Sequence, residues 1–196
     1  MLRKLHRRNA QILAIFILAH LINHLTLLDG IETHITVMEF LRTFYRPILV
    51  EVVMLFLFVS QIVLGVMMML KHRRPQNFWT WVQYGSGTVF GLFLMQHMTA
   101  SIVTRVFNPQ LDTNVYWAAS VVSQTPQVWY FAPYYTLGIL SLFVHIGAFL
   151  KKRPKWKPYS PWVMATGLII AAIVVPRLMG WPNPIHLPIK YILYIN

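Results

Sequence analysis

Long apolar runs separated by short polar stretches dominate the pattern of hydrophobic and polar positions along the chain. Each run has about 18–24 residues, enough for a helix that crosses a hydrocarbon core of about 30 Å. The runs lie at about 10–28, 47–70, 82–104, 133–150 and 161–180. The pattern predicts an all-α membrane protein, with residues 1–196 forming a single transmembrane domain. This domain is a five-transmembrane-helix bundle that ends in a Pro-rich tail at 181–196.

Charge placement predicts the orientation of this bundle. Twelve of the 17 Lys and Arg residues lie in the N-terminal segment and in the loops that follow the second and fourth runs. All five Asp and Glu residues lie on the other side. Cytoplasmic loops carry an excess of Lys and Arg, so we expect the N-terminus in the cytoplasm and the C-terminus outside. Topology thus accounts for the net charge of +12, and nucleic-acid binding is not expected.

Four polar positions lie well inside the predicted spans, where an imidazole is costly and usually marks function: His20, Gln61, His97 and His145. Gln61 and His145 lie in the inner half of the membrane. Counted from the same membrane surface, His20 lies about 12 Å deep in the first run and His97 about 10 Å deep in the third. His24, one turn after His20, is a competitor that lies nearer the surface. The histidines predicted to lie in loops or at edges, with no assigned role, are His6, His34, His72 and His186.

Three interpretations of a level His20–His97 pair remain open. Two imidazoles on different helices can bind a haem iron from its two faces. A bare divalent cation is less favoured, because no carboxylate lies at that depth and the chain has no cysteine for thiolate ligands, iron–sulfur clusters or disulfides. Alternatively, each histidine makes a hydrogen bond to a neighbouring helix. Gly85, Gly87 and Gly91 in the third run either leave room for a flat cofactor or allow close helix packing.

Polar residues at the outer membrane edge offer further candidates. Arg46 and Arg105 lie where haem propionates would need cationic partners, and equally where arginines snorkel to the interface. Glu51, about one turn inside the second span, is expected to pair with Arg46; the alternative is a proton relay for quinone chemistry. The loop at 105–132 is long for a connector, and we expect it to cap the outer pocket or dock a partner subunit.

Four motifs at these positions resemble those of a known family. They are LH at 5–6 ahead of IFILAH at 15–20, Arg46 and Glu51 ahead of QIVLG at 61–65, Gln83 with Gly87 and His97, and GILSLFVH at 138–145. Over about residues 3–150, the chain resembles the five-helix cytochrome b membrane-anchor subunit of succinate dehydrogenase and fumarate reductase. Through LDTN at 111–114 and PYY at 133–135 it is also similar to a group of small, poorly characterised bacterial membrane proteins.

The resemblance implies which residues bind haem. In that family, axial histidines pair the first helix with the third and the second with the fourth, so His20 and His97 would bind one haem b. Gln61 stands where the partner of His145 would be, and glutamine is not a usual haem ligand. We therefore expect one haem, with the second site lost, held by His145 alone, or replaced by a Gln61–His145 hydrogen bond. The hydrogen bond is the preferred interpretation.

The resemblance also implies a function. The chain would be a b-type haem-binding subunit for transmembrane or quinone-linked electron transfer in a prokaryotic inner membrane, with lipid and other subunits of a complex as partners. We expect an electron-transfer or anchor subunit of an oxidoreductase, because no nucleophile–base constellation is visible. The alternative is a haem-free accessory subunit of a larger membrane complex. A small transporter is disfavoured, since no charged residue lies deep in the spans and no inverted repeat is evident.

Overall fold

Helices make up almost all of the regular structure of the chain. The computed structural model describes residues 1–71 and 77–195, and this part of the chain contains no strand. Its helices are α1 (Leu2–Leu25), α2 (Ile31–Tyr45), α3 (Ile48–Lys71), α4 (Phe78–Phe107), α5 (Val115–Ser123), α6 (Val128–Lys151), α7 (Ser160–Leu178) and α8 (Ile189–Ile195). Short 3-10 turns at Thr26–Leu28 and Lys157–Tyr159 extend α1 and precede α7.

Five of these helices are long and apolar enough to cross a membrane, which confirms the predicted number of spans and indicates a multi-pass membrane protein. They are α1 with its 3-10 turn, α3, α4, α6, and α7 with its 3-10 turn. The boundaries differ from the prediction mainly at α1, which begins at Leu2 and so includes His6. His72 lies outside the described residues. The segment at 181–188 is not helical, as its prolines predict.

The five long helices run alternately between two ends of the bundle. We call the end that holds Leu2 the N-terminal end and the end that holds Asp112 the distal end. Helix α6 packs along both α4 and α7, while α1 packs mainly on α3. No Cα atom of α1 lies within 8 Å of a Cα atom of α4. Directly packed helices have axes about 8–10 Å apart, so only side chains bridge the space between α1 and α4.

A small apolar layer fills the middle of that space. Leu13 of α1, Phe58 of α3 and Leu94 of α4 are buried and pack together, at 2%, 6% and 8% exposure. The surrounding side chains that pack on them are also apolar, several of them aromatic. Burial of these groups holds α1 and α3 against α4 through side-chain packing. The layer is continuous from α1 to α4.

The distal end contains two helices that the sequence pattern did not predict. Helix α2 buries His34 and Met38 on one face and exposes Phe40 and Phe44 on another. Helix α5 lies within the segment at 105–132 that was expected to be a loop, and nearly all of its residues are buried. It begins where the Asn114 side chain accepts a hydrogen bond from a backbone N–H, a common N-cap. The segment therefore contributes to the core of the distal end.

Candidate functional site

The structure brings His20 and His97 together across the space between α1 and α4. Their ring centroids are 6.1 Å apart and their planes are inclined by 65°. Because α1 and α4 do not approach closely, the two imidazoles are reaching toward each other from separate helices. Depth counting from the sequence therefore identified two side chains that meet in the folded chain.

Two further imidazoles extend this pair toward the distal end. The His24 Nε2 atom lies 3.2 Å from the Nε2 atom of His20, and the two rings meet edge to face. His34 of α2 follows, with its ring centroid 5.4 Å from that of His24. The four rings form a row, which we call the histidine cluster. Sequence analysis gave His34 no role, although Met38 one turn later places it on the buried face of an amphipathic helix.

Three buried nitrogen and oxygen atoms in or beside the histidine cluster lack hydrogen-bond partners among the described residues. The Asn23 Nδ2 atom donates a hydrogen bond to His34 Nδ1 over 3.1 Å, which assigns the His34 proton to Nε2. His34 Nε2, His24 Nδ1 and Asn23 Oδ1 are buried and have no hydrogen-bond partner in the described part of the chain. Burial, followed by repulsion from His20, lowers the pKa of His34 to about 4. A neutral cluster with unpaired polar atoms has capacity for an additional polar group.

Aromatic side chains fix the planes of the His20 and His97 imidazoles. Phe16 stacks on His20 at 5.7 Å and 12°, and Phe93 stacks on His97 at 5.2 Å and 16°. Phe93 can take this position because residue 138 is glycine: a Cβ atom on Gly138 would lie 2.3 Å from the Phe93 ring. The imidazoles are therefore held by packing against flat rings, which leaves their nitrogens to meet other groups.

The spacing of His20 and His97 can be compared with the spacing that two ligands of one metal ion require. Among the described residues, no three His, Asp or Glu side chains converge closely enough to hold a metal ion. With metal–nitrogen bonds of about 2 Å, two imidazoles on opposite faces of one iron have ring centres about 6 Å apart. The His20–His97 separation of 6.1 Å matches that geometry. To bind iron through Nε2, His20 would have to exchange its contact with His24 for the metal.

The expected hydrogen bond between Gln61 and His145 is wrong. The Gln61 Nε2 atom lies 3.1 Å from His6 Nε2, because α1 extends far enough toward the N-terminal end to place His6 beside α3. His145 Nδ1 instead donates to the Gln83 carbonyl oxygen on α4 over 2.9 Å. Both residues thus find partners on helices other than the predicted ones, and each makes a hydrogen bond between helices.

Of Gly85, Gly87 and Gly91 in α4, only Gly87 makes room for a neighbouring side chain. A Cβ atom at Gly87 would lie 2.8 Å from His145 Nδ1. The same atom built on Gly85 or Gly91 meets nothing within 4 Å. Of the two roles predicted for this set, close helix packing therefore applies to Gly87, where α6 approaches α4 through His145.

The predicted ion pair between Glu51 and Arg46 is also wrong. Glu51 forms its salt bridge with Arg105, at the end of α4. The start of α3 faces the end of α4 at the distal end, so Arg105 is the nearer cation. Arg46 instead makes a single described side-chain hydrogen bond, in which Nη2 donates to Thr113 Oγ1 over 3.4 Å.

A second ion pair at the distal end involves Arg42, which sequence analysis did not single out. Its two terminal nitrogens donate to both carboxylate oxygens of Asp112 over 2.8 and 2.9 Å. Burial alone would raise the pKa of Asp112, but the hydrogen bonds and positive charge of Arg42 outweigh burial and lower it. The pair joins α2 to the segment before α5 in a bidentate geometry.

Comparison with known proteins gives no match. No protein-family model, curated protein or solved structure matches the chain. The resemblance to cytochrome b anchor subunits therefore stays a prediction, and the role of the histidine cluster rests on the chain's own residues.

Proposed function

We propose that the chain is a b-type haem-binding membrane subunit that carries electrons, with His20 and His97 as the axial ligands. The observation that carries the proposal is the 6.1 Å separation of the two rings across helices with no close backbone approach. That separation is close to the about 6 Å expected for two imidazoles on one iron. When bound, haem supplies reversible one-electron reduction of its iron.

The chain's own residues would hold and orient this group. Phe16 and Phe93 keep the two imidazole planes fixed, so little rotational freedom is lost when the ligands bind. His24, displaced from His20, is then left with both ring nitrogens available for hydrogen bonds beside the ligand. The apolar layer of Leu13, Phe58 and Leu94 borders the site on its N-terminal side and excludes water there.

The proposal also covers the electron partner, the protein partners and the membrane in which the chain lies. The likeness to cytochrome b anchors supports quinone as the electron partner and other subunits of a complex as protein partners. The excess of Lys and Arg at the N-terminal end supports a cytoplasmic N-terminus in a prokaryotic inner membrane. Arg105 is a poor partner for a haem propionate, since Glu51 already binds it.

A haem-free accessory subunit is the second candidate, and one observation favours it. The Nε2 atoms of His20 and His24 are 3.2 Å apart, so the histidine cluster can satisfy part of its own hydrogen-bonding capacity without iron. In this role the four imidazoles join α1, α2 and α4 within a larger membrane complex. The two candidates differ in one measurable property, the absorption of a reduced haem.

A difference spectrum tests the proposal. Protein purified from cells supplied with a haem precursor should show a sharp b-type α-band in the dithionite-reduced minus oxidised spectrum. His97→Ala removes a ligand and should abolish the band. His145→Ala is the matched control, because His145 lies toward the N-terminal end with its own partner on Gln83, and most of the band should remain.

Two results would count against the haem assignment in different ways. A featureless spectrum from folded wild-type protein rejects haem and supports the accessory subunit. Loss of the band in His145→Ala with retention in His97→Ala would move the haem to the N-terminal end of the bundle.

A further inference from the structure

Arg46 is the distal arginine whose guanidinium is least engaged by the described residues. Arg177 has no carboxylate partner either, but its Nε and Nη2 atoms both donate to the Leu27 carbonyl oxygen. Arg42 is bound by Asp112, and Arg105 is bound by Glu51. The Arg46 guanidinium carries five N–H donors. Its one described side-chain hydrogen bond, to Thr113 Oγ1, has a length of 3.4 Å, at the weak end of the range. Most of the donors therefore have no described protein acceptor.

The position of Arg46 leaves its guanidinium partly desolvated and close to other positive charges. The residue is half-buried, and the positive charges of both Arg42 and Arg105 act on it. Burial, followed by these two charges, lowers the pKa of Arg46. Asp112 attracts Arg46 from a longer distance, but both Asp112 oxygens are bound to Arg42. A partly desolvated guanidinium of this kind is stabilised by an anionic oxygen that accepts its hydrogen bonds.

Apolar side chains around Arg46 indicate where that anion comes from. Phe44, Ile48 and Leu49 flank it in sequence and are 62%, 76% and 75% exposed. Ile48 and Leu49 open α3, one of the helices able to cross a membrane, so these side chains face lipid. Phosphates of a bilayer lie immediately outside the hydrocarbon core, at the level where such a helix begins. A lipid whose chains lie along these side chains would place its phosphate at Arg46.

We propose that Arg46 binds the phosphate of a phospholipid in the leaflet at the distal end. Arg42 and Arg105 are each already paired with a carboxylate, Arg42 with Asp112 and Arg105 with Glu51. Arg46 therefore supplies the charge-assisted hydrogen bonds, and Ile48 and Leu49 contact the acyl chains. The site does not depend on haem, because none of its residues belongs to the histidine cluster.

Native mass spectrometry of the full chain in detergent tests this site. Delipidated protein is titrated with palmitoyl-oleoyl-phosphatidylglycerol, and the one-to-one adduct gives a dissociation constant. Loss of a charge-assisted hydrogen-bonded pair weakens binding by about tenfold or more, so Arg46→Gln should weaken it by at least that factor. Lys190→Gln is the control, since Lys190 is an exposed distal cation that donates to the Gln110 carbonyl. Its affinity should equal that of the wild type.

The remaining arms separate the lipid from other anions. Arg46→Lys keeps the charge but not the planar fork, and it should retain part of the affinity, which shows that position 46 tolerates a substitution without loss of the fold. Equal affinity of Arg46→Gln and wild type overturns the proposal. Inorganic phosphate that binds as tightly as the lipid also overturns it, in favour of a free-anion site. Loss of haem from Arg46→Gln with lipid binding intact would assign Arg46 to a propionate instead.

Discussion

Replacing Gly87 with alanine should destabilise the bundle, although alanine is the better helix former. The new Cβ atom would lie 2.8 Å from His145 Nδ1 and 2.9 Å from its Cε1 atom, so the His145 ring must move. This ring is held by the 2.9 Å hydrogen bond from Nδ1 to the Gln83 carbonyl, on the same turn of α4. Since the clash and the hydrogen bond involve the same nitrogen, relief of the first breaks the second.

The size of the effect follows from two costs and one gain. Overpacking a packed site costs about 1–3 kcal/mol. Loss of the hydrogen bond adds about 0.5–1.5 kcal/mol. The helix-propensity gain of about 1 kcal/mol for Gly→Ala applies equally to Gly85 and Gly91, where the Cβ atom meets nothing within 4 Å. Gly87→Ala should therefore be less stable than either Gly85→Ala or Gly91→Ala by about 2–4 kcal/mol.

Equilibrium unfolding in mixed micelles of detergent and SDS measures these free energies of unfolding. A double-mutant cycle gives the sharpest control, because His145→Ala removes the ring that causes the clash. In the His145→Ala background, Gly87→Ala should cost nothing relative to Gly85→Ala. If the penalty persists there, or if all three alanine variants are equally stable, then His145 does not pack against Gly87 and the α4–α6 contact described above is wrong.

Two predictions concern charged and titratable groups at the distal end. Asp112→Asn should lower the free energy of unfolding by about 1–3 kcal/mol, because Arg42 loses both hydrogen bonds to a carboxylate. Glu39→Gln, at an exposed carboxylate that binds the same Arg42, should lower it by less than about 1 kcal/mol. Equal losses in the two variants would refute the prediction that Asp112 is the stronger partner of Arg42. The pKa of His34 is about 4 in the folded chain, against about 6.5 in the unfolded chain. Between these two pH values the unfolded chain binds a proton that the folded chain does not bind. Stability should therefore fall as the pH drops from about 6.5 toward 4, by up to about 1.4 kcal/mol per pH unit for this residue. His34→Gln retains an acceptor for Asn23 and should make the pH dependence measured by thermal unfolding shallower; an unchanged slope would show that His34 is not the buried neutral group.

Hydropathy and depth were sufficient to predict the spans and one pair of side chains. A helix needs about 20 apolar residues to cross the lipid, so hydropathy predicted all five spans, and the differences lie only in their first and last residues. His20 and His97 could be matched because helical rise converts residue number into depth. Depth is fixed by the sequence once the membrane surfaces are located, and it does not depend on how each helix is rotated.

Side-chain pairing could not be predicted, because it depends on helix rotation. The membrane spans are apolar on nearly all faces, so the pattern does not show which face of α3 meets which neighbour. Gln61 consequently turns to His6 rather than to His145, and Glu51 to Arg105 rather than to Arg46.

The amphipathic helix α2 was missed for a related reason. Its 15 residues contain charged side chains at intervals, so it resembled a polar loop between two spans. Its apolar face is nevertheless regular, with Ile31, His34, Ile35 and Met38 at helical spacing. Recognition of that spacing would have placed His34 beside the core and extended the histidine cluster to a third helix.

The apolar layer of Leu13, Phe58 and Leu94 also affects whether protons can move along the bundle. Polar groups lie on both of its sides: the histidine cluster toward the distal end, and Asn9 and Gln61 with their hydrogen bonds toward the N-terminal end. Water that hydrates either side meets closely packed apolar side chains at the layer, and none of the described side chains that form it has a polar atom to carry a proton onward. The layer is thus a barrier to protons between α1, α3 and α4, on the route that would otherwise join the two polar regions.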